Sequence, residues 1–227
     1  MPSTRIFANS MLSNACKLIV LLVFLTGCSN TTTVDEYREN ESTAMLEGES
    51  IVVLGRRSST SYETEFDFIT CVGNTLKNKL RGINIIPEKE FLNSMYPYFE
   101  TSTAPMDVQN LDKLVQTPAV AKKLNDFRIR YFVWIDGFTE TTNNSGSMSC
   151  AVGVGIAGCL GFASWDDKSN YEATIWDFKE LNLEGKISTQ SSGTSYVPAV
   201  IIPLPLLARV QSGACSNMAN QIGSFLK

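Results

Sequence analysis

Asp136, Asp166, Asp167 and Asp177 are the side chains with which this chain could perform acid–base chemistry, because it contains no histidine. That absence removes imidazole bases, His-activated nucleophiles and imidazole metal ligands together. Two carboxylates flanking a glycosidic bond would suffice for sugar cleavage. Asp166-Asp167, however, reads as part of a turn, and Asp136 and Asp177 as strand ends. Ser191 to Ser195 (SSGTS) supplies hydroxyls with no histidine to activate them. No G-x-S-x-G elbow, Walker loop or HExxH occurs, nor the alternating acids of a calcium loop. The expectation is a chain without catalytic or metal-binding residues, not an enzyme.

Gly153, Gly155 and Gly158 spell G-x-G-x-x-G within Cys150 to Gly161 (CAVGVGIAGCLG), and Asp177 follows 19 residues after Gly158. On paper this matches a dinucleotide fingerprint, which needs a strand before the glycines and a helix after them. The following stretch, Phe162 to Asn170 (FASWDDKSN), reads as a turn. No cofactor is therefore expected. The segment reads instead as a glycine-rich loop or strand edge pinned by a disulfide.

Leu18 to Leu25 (LIVLLVFL) is an unbroken apolar run preceded by Lys17 and Arg5, with no acid before Asp35. This is the charged and apolar pattern of a secretory signal, too short to span a bilayer as a helix. It ends in Leu25-Thr26-Gly27-Cys28, which resembles the lipobox of bacterial lipoproteins. The resemblance implies cleavage before Cys28 and acylation of that cysteine, which makes 1–27 a signal peptide and anchors the mature chain to a membrane through lipid. Ser29, where an aspartate would mark inner-membrane retention, implies the periplasmic face of the outer membrane. Removing 1–27 takes away Arg5 and Lys17 but no acid, so the formal charge falls from −4 to −6. Neither anionic lipid nor nucleic acid is an expected electrostatic partner.

Four cysteines remain: Cys71, Cys150, Cys159 and Cys215. An even count outside the cytoplasm suggests two disulfides, with three connectivities open. The preferred pairing is Cys150–Cys159, closing a local loop, with Cys71–Cys215 joining the first helix of the domain to the last. Against the long bond, Cys71 lies nearly opposite the Ile69/Leu76/Leu80 stripe of its helix, so that helix would need contacts on two sides.

The elements that must position these residues follow from hydrophobic patterning. Over 227 residues, 44% are hydrophobic and 19% charged, ordinary for a globular domain. Residues 28–48, rich in Ser, Thr, Asn and Glu, read as a flexible tether, and 49–227 as one domain. Ile51–Leu54 predicts a strand buried on both faces, and Phe66–Leu80 a helix stopped by Gly82. Ile83–Ile86 is a second strand, and Pro87 opens a short helix to Met95. Residues 96–116 are irregular. Thr117-Pro118 starts a helix to about Phe127, and Tyr131–Phe138 (YFVWIDGF) is the strongest strand. Tyr171–Leu181 and Lys186–Thr194 form a hairpin, and a helix begins near Leu206. The order β-α-β-α-α-β-β-β-α gives an α/β (α+β) domain with a mixed sheet and a late antiparallel meander. This ordering resembles the amino-terminal domain type of TolB, the penicillin-binding-protein activator lipoproteins and, more distantly, the curli secretion lipoprotein. No strand pair of the length that a transmembrane barrel requires is legible.

Val197 to Ala208 (VPAVIIPLPLLA) carries no polar side chain and three prolines. Such a run is extended, and it is either core crossing beneath the sheet or an exposed partner surface. Trp165, Ile201, Leu204 and Leu206 are the expected contact residues. The reading is a lipid-anchored, non-catalytic protein-interaction module of the envelope. Its alternatives are a peptidoglycan hydrolase using Asp136 or Asp177, and a structural subunit of an envelope or secretion assembly.

Overall fold

The computed structural model describes residues 30–40, 44–56, 64–100, 102–153, 156–203 and 205–227. Its elements are β1 (Asn30–Arg38), β2 (Ser50–Gly55), α1 (Phe66–Lys79), β3 (Asn84–Ile86), α2 (Glu88–Met95), α3 (Val108–Val115), α4 (Pro118–Asp126), β4 (Ile129–Gly153), β5 (Ile156–Asp177), β6 (Asn182–Pro203) and α5 (Val210–Phe225). The strands form one mixed sheet in the order β1-β6-β5-β4-β2-β3. β2 runs parallel to β3 and β4, and the remaining pairs are antiparallel.

The continuous apolar run of β2 has a direct cause. Ile51 and Val53 enter one core with α1 and α5, while Val52 and Leu54 enter a second core with α2, α3 and α4. A strand covered by helices on both sides has no polar face to alternate with. β4 does the same over its first seven residues: Tyr131, Val133 and Ile135 face one core, Ile129, Phe132 and Trp134 the other. The α/β class with a mixed sheet and a late meander is thus the observed one.

Two elements join those expected from the sequence. Residues 30–38, expected within a flexible tether, form edge strand β1, paired with β6 from Asn30↔Gly193 to Arg38↔Gly185. The segment is polar, yet its threonines, Val34 and Tyr37 favour extended backbone. Val34 packs on the core, and Thr32 Oγ1 lies 2.9 Å from Ser191 Oγ. Composition alone marks this stretch as a tether because only one side chain in several meets the core. Within the stretch read as irregular, Val108–Val115 forms α3, whose N-cap Asp107 accepts a hydrogen bond from the Asn110 amide at 2.7 Å.

The largest difference lies in the meander. The strand expected over 131–138 extends to Gly153, the one expected to begin at Tyr171 begins at Ile156, and the one expected to end at Thr194 continues to Pro203. Phe162–Asn170, read as a turn, lies inside β5. A long strand pair that the sequence did not reveal is therefore present. The final helix begins at Val210 rather than near Leu206, after Arg209 in a left-handed conformation (φ 48°).

Both disulfides of the preferred pairing are formed. Cys71–Cys215 joins α1 to α5 across 144 residues, and Cys150–Cys159 joins β4 to β5 across nine. The apparent conflict at Cys71 resolves because α1 has two packed sides. Phe68, Ile69, Val72 and Leu76 are its buried residues, and Cys71 is partly buried against the same core where α5 lies.

Candidate functional site

Beyond the helices, β4, β5 and β6 continue as a three-stranded ribbon. β4 pairs with β2 from Ser50↔Ile129 to Gly55↔Ile135, and the described part of β1 begins opposite Gly193. A bulge between Thr142 and Ser145, with Asn143 at φ 52°, marks the ribbon's base. From Ser145↔Ser164 the β4–β5 hairpin then runs in unbroken register to Gly153↔Ile156. Gly146 and Gly161 have positive φ, and a Cβ on either would lie 2.3 Å or 2.1 Å from a backbone oxygen across the pair. These glycines let the two strands approach where a side chain would not fit.

The ribbon is free of charge. No Asp, Glu, Lys or Arg occurs from Thr141 to Trp165, nor from Ile187 to Ala208. Directly opposed residues in an antiparallel pair share a face. Leu160, Phe162, Tyr196, Pro198 and Ile202 therefore lie on one face of β5 and β6. Leu160 is 67% exposed, Phe162 53% and Ile202 68%. Ser147 and Ser149 continue this face onto β4, opposite Phe162 and Leu160. The other face carries Met148, the Cys150–Cys159 bridge and Val152, with Trp165 near its base.

Of the expected contact residues, Trp165 lies at the ribbon's base, where its indole N–H donates to Asp167 Oδ2 at 3.1 Å. Ile201 pairs with Cys159 near the end of β6. Leu206 is exposed, and its backbone exchanges two hydrogen bonds with Tyr196 at 2.9 and 2.7 Å. Leu204 and Cys28 lie outside the described residues. The proline-rich run contains both expected situations: Ala199 and Ala208 are buried, while Ile202, Leu206 and Leu207 are exposed.

The aspartates do not converge. Asp177 is fully buried in an ion pair with Arg130 and accepts the Lys179 and Glu180 amides at 2.7 and 3.0 Å. Asp136 lies opposite Glu172, five positions along β4 from the Tyr131↔Asp177 pair, a separation of about 17 Å in extended chain. Asp136 and Glu172 line an open cleft of about 650 Å³ together with Arg56, Asp107, Trp176 and Lys186. Both acids are exposed, and Glu172 accepts from Lys186 Nζ at 2.9 Å.

At the ribbon's base Asp166 accepts from Thr194 Oγ1 at 2.6 Å and Asn143 Nδ2 at 3.0 Å. Those hydrogen bonds, in that order, hold its carboxyl below the usual value. Gly153 and Gly158 lie in strands that are followed by more strand, so the helix that a dinucleotide fingerprint needs is replaced by β5. Among the described residues, no group of three or more acidic or thiol side chains could hold a metal ion.

Sequence reading passed over two features. Arg56 closes the cleft, its guanidinium 4.6 Å from the Trp134 ring centroid and 5.3 Å from that of Trp176. It donates to the Pro105 and Met106 carbonyls, each at 3.1 Å. Burial lowers its affinity for the proton, opposed by Asp136 and Asp107. The arginine is a strap holding the 105–106 segment to the sheet. The second feature is an S-x-x-K spacing at Ser224–Lys227. Ser224 donates to the Asn220 carbonyl at 3.0 Å near the end of α5, and Lys227 is exposed.

No family model matches the chain, and no curated protein matches it. Among solved structures it is similar to the PelC dodecamer from Paraburkholderia phytofirmans and to a leucine-to-methionine variant of that dodecamer. Each is 12% identical to it with a TM-score of 0.35. Both alignments cover 86% of this chain, and 97% and 98% of the respective PelC chains. Overlap at that level supports no conclusion about this chain.

Proposed function

We propose that the chain is a lipoprotein held by Cys28 on the periplasmic face of the outer membrane, acting as a non-catalytic protein-interaction module of the envelope. One observation carries the interaction reading. From Thr141 to Gly153 the described residues give β4 a strand partner on one side only, and this edge has no charge and no proline. Long, uncharged edges are templates for strand addition from another polypeptide, which is why folded proteins ordinarily blunt them.

The dispersal of the aspartates supports a non-catalytic role. A glycosidase needs two carboxylates within roughly 5–10 Å around an enclosed substrate. Here Asp177 is consumed by Arg130, and Asp136 faces solvent beside a Glu172 already paired with Lys186.

The test is in-cell photocrosslinking from a diazirine-bearing residue at Ser147, in the wild type and in a Met148→Pro variant. Tyr196 exchanges its backbone hydrogen bonds with Leu206, so Ser164, Phe162 and Leu160 bond to Ser145, Ser147 and Ser149, and the Met148 N–H points to the free edge. The proline removes that donor and keeps the fold of the helical layers. A discrete adduct that Met148→Pro abolishes is the expected result. Equal adducts from both chains would refute the edge as the binding surface. Acylation is tested separately: Cys28→Ala loses incorporation of radioactive palmitate, and continued incorporation would refute the lipid site.

A further inference from the structure

The first described residue, Asn30, lies at the level of the ribbon's base. Asn30, the first residue of β1, pairs with Gly193 of β6, and Gly193 pairs with Asp167 of β5. β1 is antiparallel to β6, so the chain enters the sheet from the ribbon side. Cys28 is two residues earlier, within about 7 Å of contour. An acyl group on Cys28 is therefore tied to the last row of charges, Glu140, Asp166, Asp167 and Lys168, beyond which β4 and β5 carry none.

From this we infer that the ribbon inserts its apolar face into the same bilayer that receives the acyl chains. The inference rests on the lipidation proposed above and goes beyond it, because it makes the ribbon a second membrane contact of different chemistry.

Its dimensions fit. The arms Ser145–Gly153 and Ile156–Ser164 have nine residues each, and β6 continues beside them from Ser195 to Pro203. Nine extended residues reach about 30 Å, the length with which a tilted β-strand crosses hydrocarbon. The sequence of chemistry along the ribbon also fits. Charges end at Asp166, and the next positions toward the tip are occupied by Tyr196, on the face of Phe162, and Trp165, on the opposite face. Beyond them Phe162, Leu160 and Ile202 are exposed. Aromatic residues with a polar atom favour the headgroup level, and charges are excluded from the hydrocarbon.

The observations favour lipid over a protein lid on this face. An aliphatic tip, an aromatic step and a charged base are graded along one axis, as a bilayer is graded, whereas protein interfaces surround an apolar centre with a polar rim. The insertion also explains why an unpaired β4 edge is tolerable only in an assembly. An open edge cannot stay unsatisfied in hydrocarbon, so a strand from the protein partner must cover it there.

The test uses the full mature chain, purified from membranes and reconstituted into phosphatidylethanolamine–phosphatidylglycerol vesicles. An environment-sensitive fluorophore is placed at Ile202→Cys, and in a separate protein at Glu172→Cys in the exposed cleft of the helix-covered domain, under non-reducing conditions. Insertion predicts that acyl-chain nitroxides quench the Ile202 probe several-fold more than the Glu172 probe, and that aqueous iodide does the reverse. The unmodified protein gives an independent readout: chymotryptic cleavage after Phe162 in detergent is suppressed in vesicles.

Iodide access at Ile202 equal to that at Glu172, with cleavage after Phe162 unchanged, overturns the inference. So does an Ile202 probe shielded from both quenchers, which means that protein covers it. Mass analysis of the amino-terminal peptide separates the two readings. Acylated Cys28 with an iodide-accessible ribbon sinks insertion alone, whereas unmodified Cys28 with a nitroxide-quenched ribbon sinks the anchor and supports insertion.

Discussion

Arg130 and Asp177 form an ion pair inside the sheet, with the Asp177 side chain wholly shielded from solvent and that of Arg130 7% exposed. The two extra amides that Asp177 accepts, from Lys179 and Glu180, start the turn between β5 and β6. Removing one partner of such a pair leaves a buried, uncompensated charge, which costs about 3–5 kcal/mol. Asp177→Ala should lower stability by about that amount, measured by urea unfolding. An Arg130→Met/Asp177→Leu double variant, which removes both charges, should recover a large part of the loss. Equal losses in the single and double variants would show that the turn amides, not the charge, make Asp177 valuable.

Glu184 is 2% exposed, and its Oε2 makes no hydrogen bond. Burial, followed by the nearby Asp177 charge, pushes its carboxyl above the usual value. The sign follows from linkage. Below the unfolded-state value, about 4.3, the group is protonated in both states and its contribution to stability is complete. As pH rises through the higher folded-state value, the native protein must hold an unpaired buried charge and that contribution is lost. Glu184→Gln removes the loss. Its melting temperature should match the wild type near pH 4 and exceed it at pH 8, by about 2–4 °C for each kcal/mol relieved. Thermal scans across that range check this, and parallel curves would refute it.

The two disulfides should act on different parts of the molecule. Cys71–Cys215 closes 144 residues between helices that share the main core. Chain-entropy arguments put its contribution at up to about 5 kcal/mol. Cys71→Ser should therefore shift the urea midpoint of the whole domain. Cys150–Cys159 closes nine residues in the exposed ribbon, and Cys150→Ser should leave that midpoint nearly unchanged. Comparable shifts in both variants would contradict a ribbon that is energetically separate from the core.

How much of this was legible in the sequence depends on what each segment packs against. Ile51–Leu54 and Tyr131–Ile135 announce themselves because helices cover both faces of their strands. The outer parts of β4 and β5 are invisible to the same reading. Ser145, Ser147, Ser149, Gly158 and Gly161 have low strand preference, and no core lies behind them to impose alternation. Composition thus marks a loop where backbone pairing makes a hairpin. Three signals were available in retrospect: cysteines placed symmetrically about a centre between Val154 and Gly155, the uncharged run between Glu140 and Asp166, and a second such run before Arg209. The α3 helix had its own signal in Asp107, Val108, Leu111 and Val115, a cap followed by helical spacing. Asp136 and Asp177 looked equivalent as strand-end acids, and only the fold separates an exposed cleft residue from a buried ion pair.

Gly161 offers the sharpest local test of the ribbon. Its φ of +135° is one that side-chain-bearing residues rarely adopt, and an added Cβ would meet the Ser147 carbonyl oxygen at 2.1 Å and the Met148 Cα at 2.8 Å. Gly161→Val must push β4 and β5 apart next to the Cys150–Cys159 bridge. None of the residues displaced contributes to either core, so the global melting temperature should hold. The ribbon itself should open: chymotryptic cleavage after Phe162 should rise several-fold in detergent, and the fraction of Cys150–Cys159 oxidised in purified protein should fall. A melting temperature lowered as far as in Asp177→Ala, with cleavage unchanged, would mean that ribbon and core unfold as one unit and that the separation argued from the two disulfides is wrong.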